Sequence, residues 1–263
     1  MTLPIGRVAQ LALYFAALNG CHPGDDTRSG TRGELGRIEF SYQRSCFFGC
    51  SLAQPLLAGT REQIAVSAPG DAQGVSVESS DPGVASFALQ RKCHCERSDS
   101  TDHLEIREDA DCPGVWRKQC DNLVLVQAGA AGEAELELRD AQHAAIDRVE
   151  VIVREARDAR LAATLPDKLG PDVGTRFALD AGKSLDLALT LYDAGGLELL
   201  APEGVDWHVD DANIATLSGF LTGDRSDVHA GLSVTVHAIA PGDTQVHIVV
   251  PGLESSADVQ VTN

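Results

Sequence analysis

One pattern recurs in this chain at a distance of more than a hundred residues, and it limits the fold more than any other feature. Residues 77–87 (VESSDPGVASF) and 207–217 (WHVDDANIATL) both run from an alternating stretch through a polar turn. Each then gives a β-branched residue, an alanine, a hydroxyl residue and an apolar one: Val84-Ala85-Ser86-Phe87 and Ile214-Ala215-Thr216-Leu217. A second echo follows in the same order, residues 128–138 (AGAAGEAELEL) against 238–248 (AIAPGDTQVHI). Each copy closes on a further alternating run, Val149, Val151 and Val153 in the first and Val259 and Val261 in the second. Alternation with period two is the signature of a half-buried strand. A repeat this long, with several strands per copy, predicts two tandem all-β domains rather than a solenoid.

Other short runs fit antiparallel sandwiches. Ile38 and Phe40, Ile64 and Val66, and Val75 and Val77 alternate with polar neighbours between Gly, Pro and Asp punctuation. Leu185, Leu187, Leu189 and Leu191 share one face of a strand bounded by Gly182 and by Asp193-Ala194-Gly195-Gly196. Residues 155–163 (EARDARLAA) allow a short helix, but Leu161–Leu165 reads better as the opening strand of the second copy. The predicted divisions are 36–154 and 155–263, preceded by a tether over 21–35 whose residues 22–34 are almost free of apolar side chains.

The copies differ in one connection. Ser86 to Gly132 spans 46 positions, whereas Thr216 to Gly242 spans 26, so the first copy carries about 20 extra residues within 89–122. Apart from Cys21, the cysteines all fall in the first copy: Cys46, Cys50, Cys93, Cys95, Cys112 and Cys120. An even number in an exported domain reads as a disulfide framework. Cys93 and Cys95 point to one side of a strand, so a bond between them is strained, and each is expected to reach elsewhere, for instance toward Cys112 and Cys120. A zinc site is the alternative, with Cys46 and Cys50 at suitable spacing and His94 between Cys93 and Cys95. Four ligands would leave a third cysteine pair over, and such sites suit reducing compartments, so three disulfides are expected.

At the repeated residues the chain resembles the group 2 bacterial Ig-like domains found in intimin- and invasin-type adhesins. Trp207, Asp211, Ile214, Ala215, Thr216 and Gly242 match the pattern in the second copy. Ser79, Ser80, Asp81, Val84, Ala85, Ser86, Gly132, Ala134 and Leu136 match it in the first. The resemblance implies two tandem Ig-like antiparallel β-sandwiches, the first enlarged by a disulfide-rich insertion. These are fold positions and carry no activity.

The beginning of the chain gives an address. Arg7 precedes an apolar run, Val8 to Leu18, of signal-peptide length and too short to span a bilayer. Leu18, Gly20 and Cys21 resemble the lipobox of bacterial lipoproteins, which implies cleavage after residue 20 and acylation of Cys21. Multiple acyl chains give stable anchoring, so the membrane is an expected partner through Cys21. His22 replaces the aspartate that in enterobacterial lipoproteins signals inner-membrane retention, so the outer membrane is favoured.

Composition and motifs exclude several functions. A net charge of −18, with 6 basic against 17 acidic residues in 155–263, argues against nucleic acid as a partner. There is no G-x-S-x-G, H-E-x-x-H, P-loop or strand-coupled dinucleotide fingerprint, so no enzyme activity and no cofactor are expected. Asp206, His208 and Asp210 alternate with Trp207 and Val209, and two carboxylates flanking an imidazole can bind a cation. Outward strand faces of acidic proteins look the same, so a solvated face is expected. His237 and His247 flank Gly242 symmetrically, and a hairpin there would set them opposite one another; a histidine pair alone makes a weak metal site. The insertion remains the best functional surface, with Val115 and Trp116 standing amid charge as an interaction anchor. The expected function is that of a non-catalytic, lipid-anchored envelope protein contacting another envelope or surface component. A passive spacer and a metal-dependent or enzymatic protein using the Cys/His insertion are the alternatives.

Overall fold

The computed structural model describes residues 30–43, 51–67, 75–98, 104–107, 112, 116–165, 168–200, 202, 204–219, 227–230 and 232–263. All regular structure among them is β, and no helix among them is long and apolar enough to cross a membrane. The first ten strands are β1 (Thr31–Arg32), β2 (Glu39–Tyr42), β3 (Leu56–Leu57), β4 (Arg61–Ser67), β5 (Ser76–Ser79), β6 (Ala85–Ser98), β7 (Leu104–Arg107), β8 (Arg117–Ala128), β9 (Gly132–Arg139) and β10 (Ala145–Arg154). They build two sheets, in the order β1-β2-β4-β8-β6-β7 and β3-β10-β9-β5. The next ten are β11 (Asp158–Leu165), β12 (Lys168–Asp172), β13 (Arg176–Asp180), β14 (Ser184–Tyr192), β15 (Val205–Val209), β16 (Ala215–Ser218), β17 (Asp227–Ala230), β18 (Ser233–Ala238), β19 (Gly242–Val250) and β20 (Leu253–Thr262). Their sheets run β12-β11-β14-β18-β16 and β13-β20-β19-β15-β17.

Two antiparallel β-sandwiches result, built to one plan. The trio β4-β8-β6 corresponds to β14-β18-β16, and β10-β9-β5 to β20-β19-β15. In both halves a short strand runs parallel to the last one, β3 beside β10 and β13 beside β20, against otherwise antiparallel pairing. Alternation sorts the side chains as the sequence predicts. Phe40, Ile64, Val124 and Val126 face Leu136, Leu138, Val149 and Val151 in the first core. Leu187, Leu189, Leu217 and Val236 face Trp207, Val246, Ile248 and Val259 in the second. Each such side chain contributes about 1.5–3 kcal/mol by leaving water. The second sandwich begins in strand, since Asp158–Leu165 is β11 and not a helix.

The repeated residues turn out to be one packing device used twice. Asp81 O accepts from the backbone N–H groups of Val84 and Ala85, and Asp211 O accepts from those of Ile214 and Ala215. The side chains of the same aspartates take the Gly83 N–H at 2.9 Å and the Asn213 N–H at 2.9 Å. The β-branched residue then lies over the glycine that opens the next hairpin. A Cβ added at Gly132 would stand 2.6 Å from Val84 Cγ2, and one at Gly242 would stand 2.7 Å from Ile214 Cδ1. The glycine is therefore required by close approach to the motif.

Residues 30–35, which composition assigns to the tether, are part of the fold. Thr31 and Arg32 pair with Phe40 and Glu39, and the chain then wraps around Asp147 of β10. That carboxylate is fully buried and accepts from the backbone N–H groups of Leu35 (2.8 Å), Arg37 (2.7 Å), Ile38 (2.8 Å) and Arg148 (2.9 Å). Burial opposes its charge, but the four donors outweigh burial and hold its pKa below the ordinary carboxylate range.

The two sandwiches meet along the short strand β3. Leu200 N–H donates to Pro55 O at 2.7 Å, and Leu56 forms a parallel bridge with Leu200. Leu57 is buried in the second core and Leu200 in the first.

Candidate functional site

Among the described residues, the extra residues of the first copy extend a hairpin. β6 and β8 pair from Ala85↔Ala128 to Glu96↔Arg117, twelve residue pairs, where β16 and β18 pair over four. Among the described residues β4 accompanies β8 as far as Val66↔Asn122. Beyond Arg91 the hairpin runs on about 17 Å to Glu96, at about 3.4 Å per residue, without β4 beside it among the described residues. β7 joins its outer flank from Cys95↔Arg107 to Ser98↔Leu104.

Cys95 is buried on this arm and bonded to Cys112, with a Cα–Cα separation of 5.3 Å. The expectation that Cys95 reaches beyond Cys93 therefore holds, and as a disulfide sulfur it is withdrawn from the zinc set considered above. The register sets Cys93 opposite Cys120. Trp116 is half-buried beside the arm. Cys21, Cys46, Cys50 and Val115 lie outside the described residues, as does the signal-like segment.

The histidines separate differently from the arrangement expected. β18 and β19 belong to opposite sheets, so His237 and His247 do not face each other across a hairpin. His237 lies between two hydroxyls, Ser184 Oγ 2.8 Å from Nδ1 and Ser218 Oγ 2.7 Å from Nε2, a local bracket on the outer face of its sheet. His247 instead pairs in register with His208, and the two rings stack in parallel with centroids 4.5 Å apart. Asp210 Oδ1 is 3.1 Å from His247 Nε2. Among the described residues, His208, Asp210 and His247 bring one donor atom each within 4.8 Å of one another, while Asp206 and His237 stand outside the group. The cross-strand register that joins His208 to His247 needed the β15–β19 pairing, which the sequence alone does not supply.

Below the trio an open depression is lined by Arg176, Asp210, Asp211, Asp243, Thr244, Gln245 and Asp258. Gln245 donates to Asp258 there at 2.7 Å. Elsewhere, burial, helped by the Glu62 charge, drives the Tyr42 phenol far above its ordinary pKa. That group is a buried hydroxyl in the core, with no hydrogen-bond partner among the described residues.

No protein-family model matches the chain, and no curated protein matches its sequence. Solved structures similar to it include domains 4 and 5 of the S-layer protein SbsC (17% identity, TM-score 0.29, covering 75% of this chain and 82% of that one). The D0-D1 domain of intimin is similar at 14% identity and TM-score 0.26, covering 85% and 97%. Fibronectin(III)-like modules of CbhA from Clostridium thermocellum are similar at 12% identity and TM-score 0.22, covering 80% and 89%. At these values the likeness assigns neither activity nor partner.

Proposed function

We propose that this chain is an exported, lipid-anchored, non-catalytic envelope protein whose projecting β6–β8 arm contacts another envelope or surface component. The observation that carries the reading is the Cys95–Cys112 disulfide on that arm, because such bonds persist in oxidising compartments and are rare where thiols are kept reduced. The apolar run ending at Cys21 supports export and anchoring. A hairpin that outruns its own sheet gains little from the sandwich core, and a cross-link restricting its unfolded states supports it there.

The test shortens the arm. Gln90 and Leu123 are register partners, so joining them through an Asn-Gly turn should retain the sandwich while removing residues 91–122. Cross-linking in intact cells, followed by capture, is expected to recover partners with the natural chain and to lose them with the shortened one. Recovery of the same partners by both would remove the arm from the role. The spacer reading would then stand in its place, favoured by the Leu56–Leu200 bridge that ties the two sandwiches together.

A further inference from the structure

We infer that His208, His247 and Asp210 form a binding site for a divalent late transition-metal ion of the zinc class on the outer face of the second sandwich. Three features of the arrangement support it. The first is the donor set: two imidazoles and a carboxylate suit zinc, copper or nickel, whereas calcium and magnesium take oxygen ligands alone. The histidines come from adjacent paired strands, so the backbone register, not a mobile loop, brings them together. Donor atoms within 4.8 Å of one another need to close to about 3.3 Å, the separation that bonds of about 2.05 Å to one tetrahedral ion require, a shift within reach of side-chain rotation.

The second feature is a close donor pair. His247 Nε2 is buried and Asp210 Oδ1 lies 3.1 Å away. With no proton on Nε2 the lone pair and the carboxylate oxygen repel each other, and a metal ion can take the proton's place between them. A metal ion accepts both. Asp210 is 56% exposed and His247 only 18%, so the carboxylate side is the mouth through which an ion arrives.

The third feature is the surrounding field. Glu254 Oε1 stands 3.9 Å from Nδ1 of His247, beyond hydrogen-bond distance, and adds negative charge beside the ring. The depression adjoining Asp210 carries Asp211, Asp243 and Asp258 against one cation, Arg176, and its net negative charge raises the local concentration of cations. On the far side of β15 the register sets Asp227 opposite His208 and His229 opposite Asp206. With three protein ligands a tetrahedral ion keeps one position open for water or an external donor.

The experiment is calorimetric titration of the full chain, in its oxidised form, with zinc chloride, repeated on His247→Ala, Asp210→Asn and His237→Ala, with circular dichroism on each protein. One ion is expected to bind per chain. His247→Ala and Asp210→Asn should weaken it at least about 100-fold, beyond the about 10–100-fold that an outer-shell change costs, while His237→Ala, whose ring is bracketed by serines, leaves it unchanged. Cobalt(II) in place of zinc should give tetrahedral ligand-field bands without a sulfur-to-metal charge-transfer band, which separates this site from the cysteines. No binding, binding untouched by Asp210→Asn in a folded protein, or a sulfur charge-transfer band would each overturn the assignment. Asp210 is on the surface, so its variant reads out the site even if His247→Ala disturbs the strand.

Discussion

Gly132 and Val84 show how much one pair of residues specifies. The side chain of Val84 fills the space a Cβ at Gly132 would need, and Ile214 does the same at Gly242, so the repeat is a record of two identical contacts. Gly132→Ala is expected to destabilise the first sandwich by about 1–3 kcal/mol through overpacking. Combining it with Val84→Ala should recover part of that loss, and a double-mutant cycle by urea denaturation measures the coupling. Purely additive losses would show that the two positions do not touch. Tyr42 presents the opposite situation, a hydroxyl buried in the core with nothing to bond among the described residues. Tyr42→Phe should therefore be neutral or stabilising by about 1 kcal/mol, and a loss of that size would reveal a partner for the hydroxyl.

At the scale of elements, alternation read from the sequence located most strands, because each sandwich has a dry inner face and a wet outer one. The leucines of β14 and the valines of β10, β19 and β20 are buried in the phase expected. Asp147 was missed, although it shares the phase of Val149, Val151 and Val153 and so carried a signal: an inward carboxylate must find donors. Three of its four donors come from Leu35, Arg37 and Ile38, over 100 positions away, and no local pattern announces such a match. Asp147→Asn is expected to cost about 2–4 kcal/mol, since an amide offers its own N–H groups to a ring of backbone donors. The sign of the pH dependence follows from the lowered folded pKa. Asp147 stabilises fully above its unfolded value of about 3.9, and this contribution is lost as pH falls through the lower folded value. The stability gap between natural and Asn forms should thus be constant from pH 5 to 7 and narrow below pH 4, as urea titrations at each pH would measure. A gap that widens in acid would contradict the hydrogen-bond account.

At the scale of the whole molecule, the sequence disclosed two sandwiches and a cysteine-rich insertion, but not the form of that insertion. Its charged composition has no apolar alternation to reveal the long β6–β8 pairing. Nor was the seam legible, since Leu56, Leu57 and Leu200 look like any other core leucines until β3 is found between the halves. The pairing of β15 with β19 belongs here too, because it brings His247 of β19 beside His208 and Asp210, which the β15 segment presents together. The arm, the seam and the gathered donors are consequences of topology.

The central claim is that this is an exported protein with an oxidised arm, held at a membrane through Cys21. Mass spectrometry of the chain isolated from intact cells, digested without reduction after blocking free thiols, tests it most directly. The account predicts an acylated Cys21 as the amino terminus, a peptide joining Cys95 to Cys112, and no free thiol at Cys93 or Cys120. A chain that retains Met1 and carries blocked, reduced cysteines at these positions would contradict it.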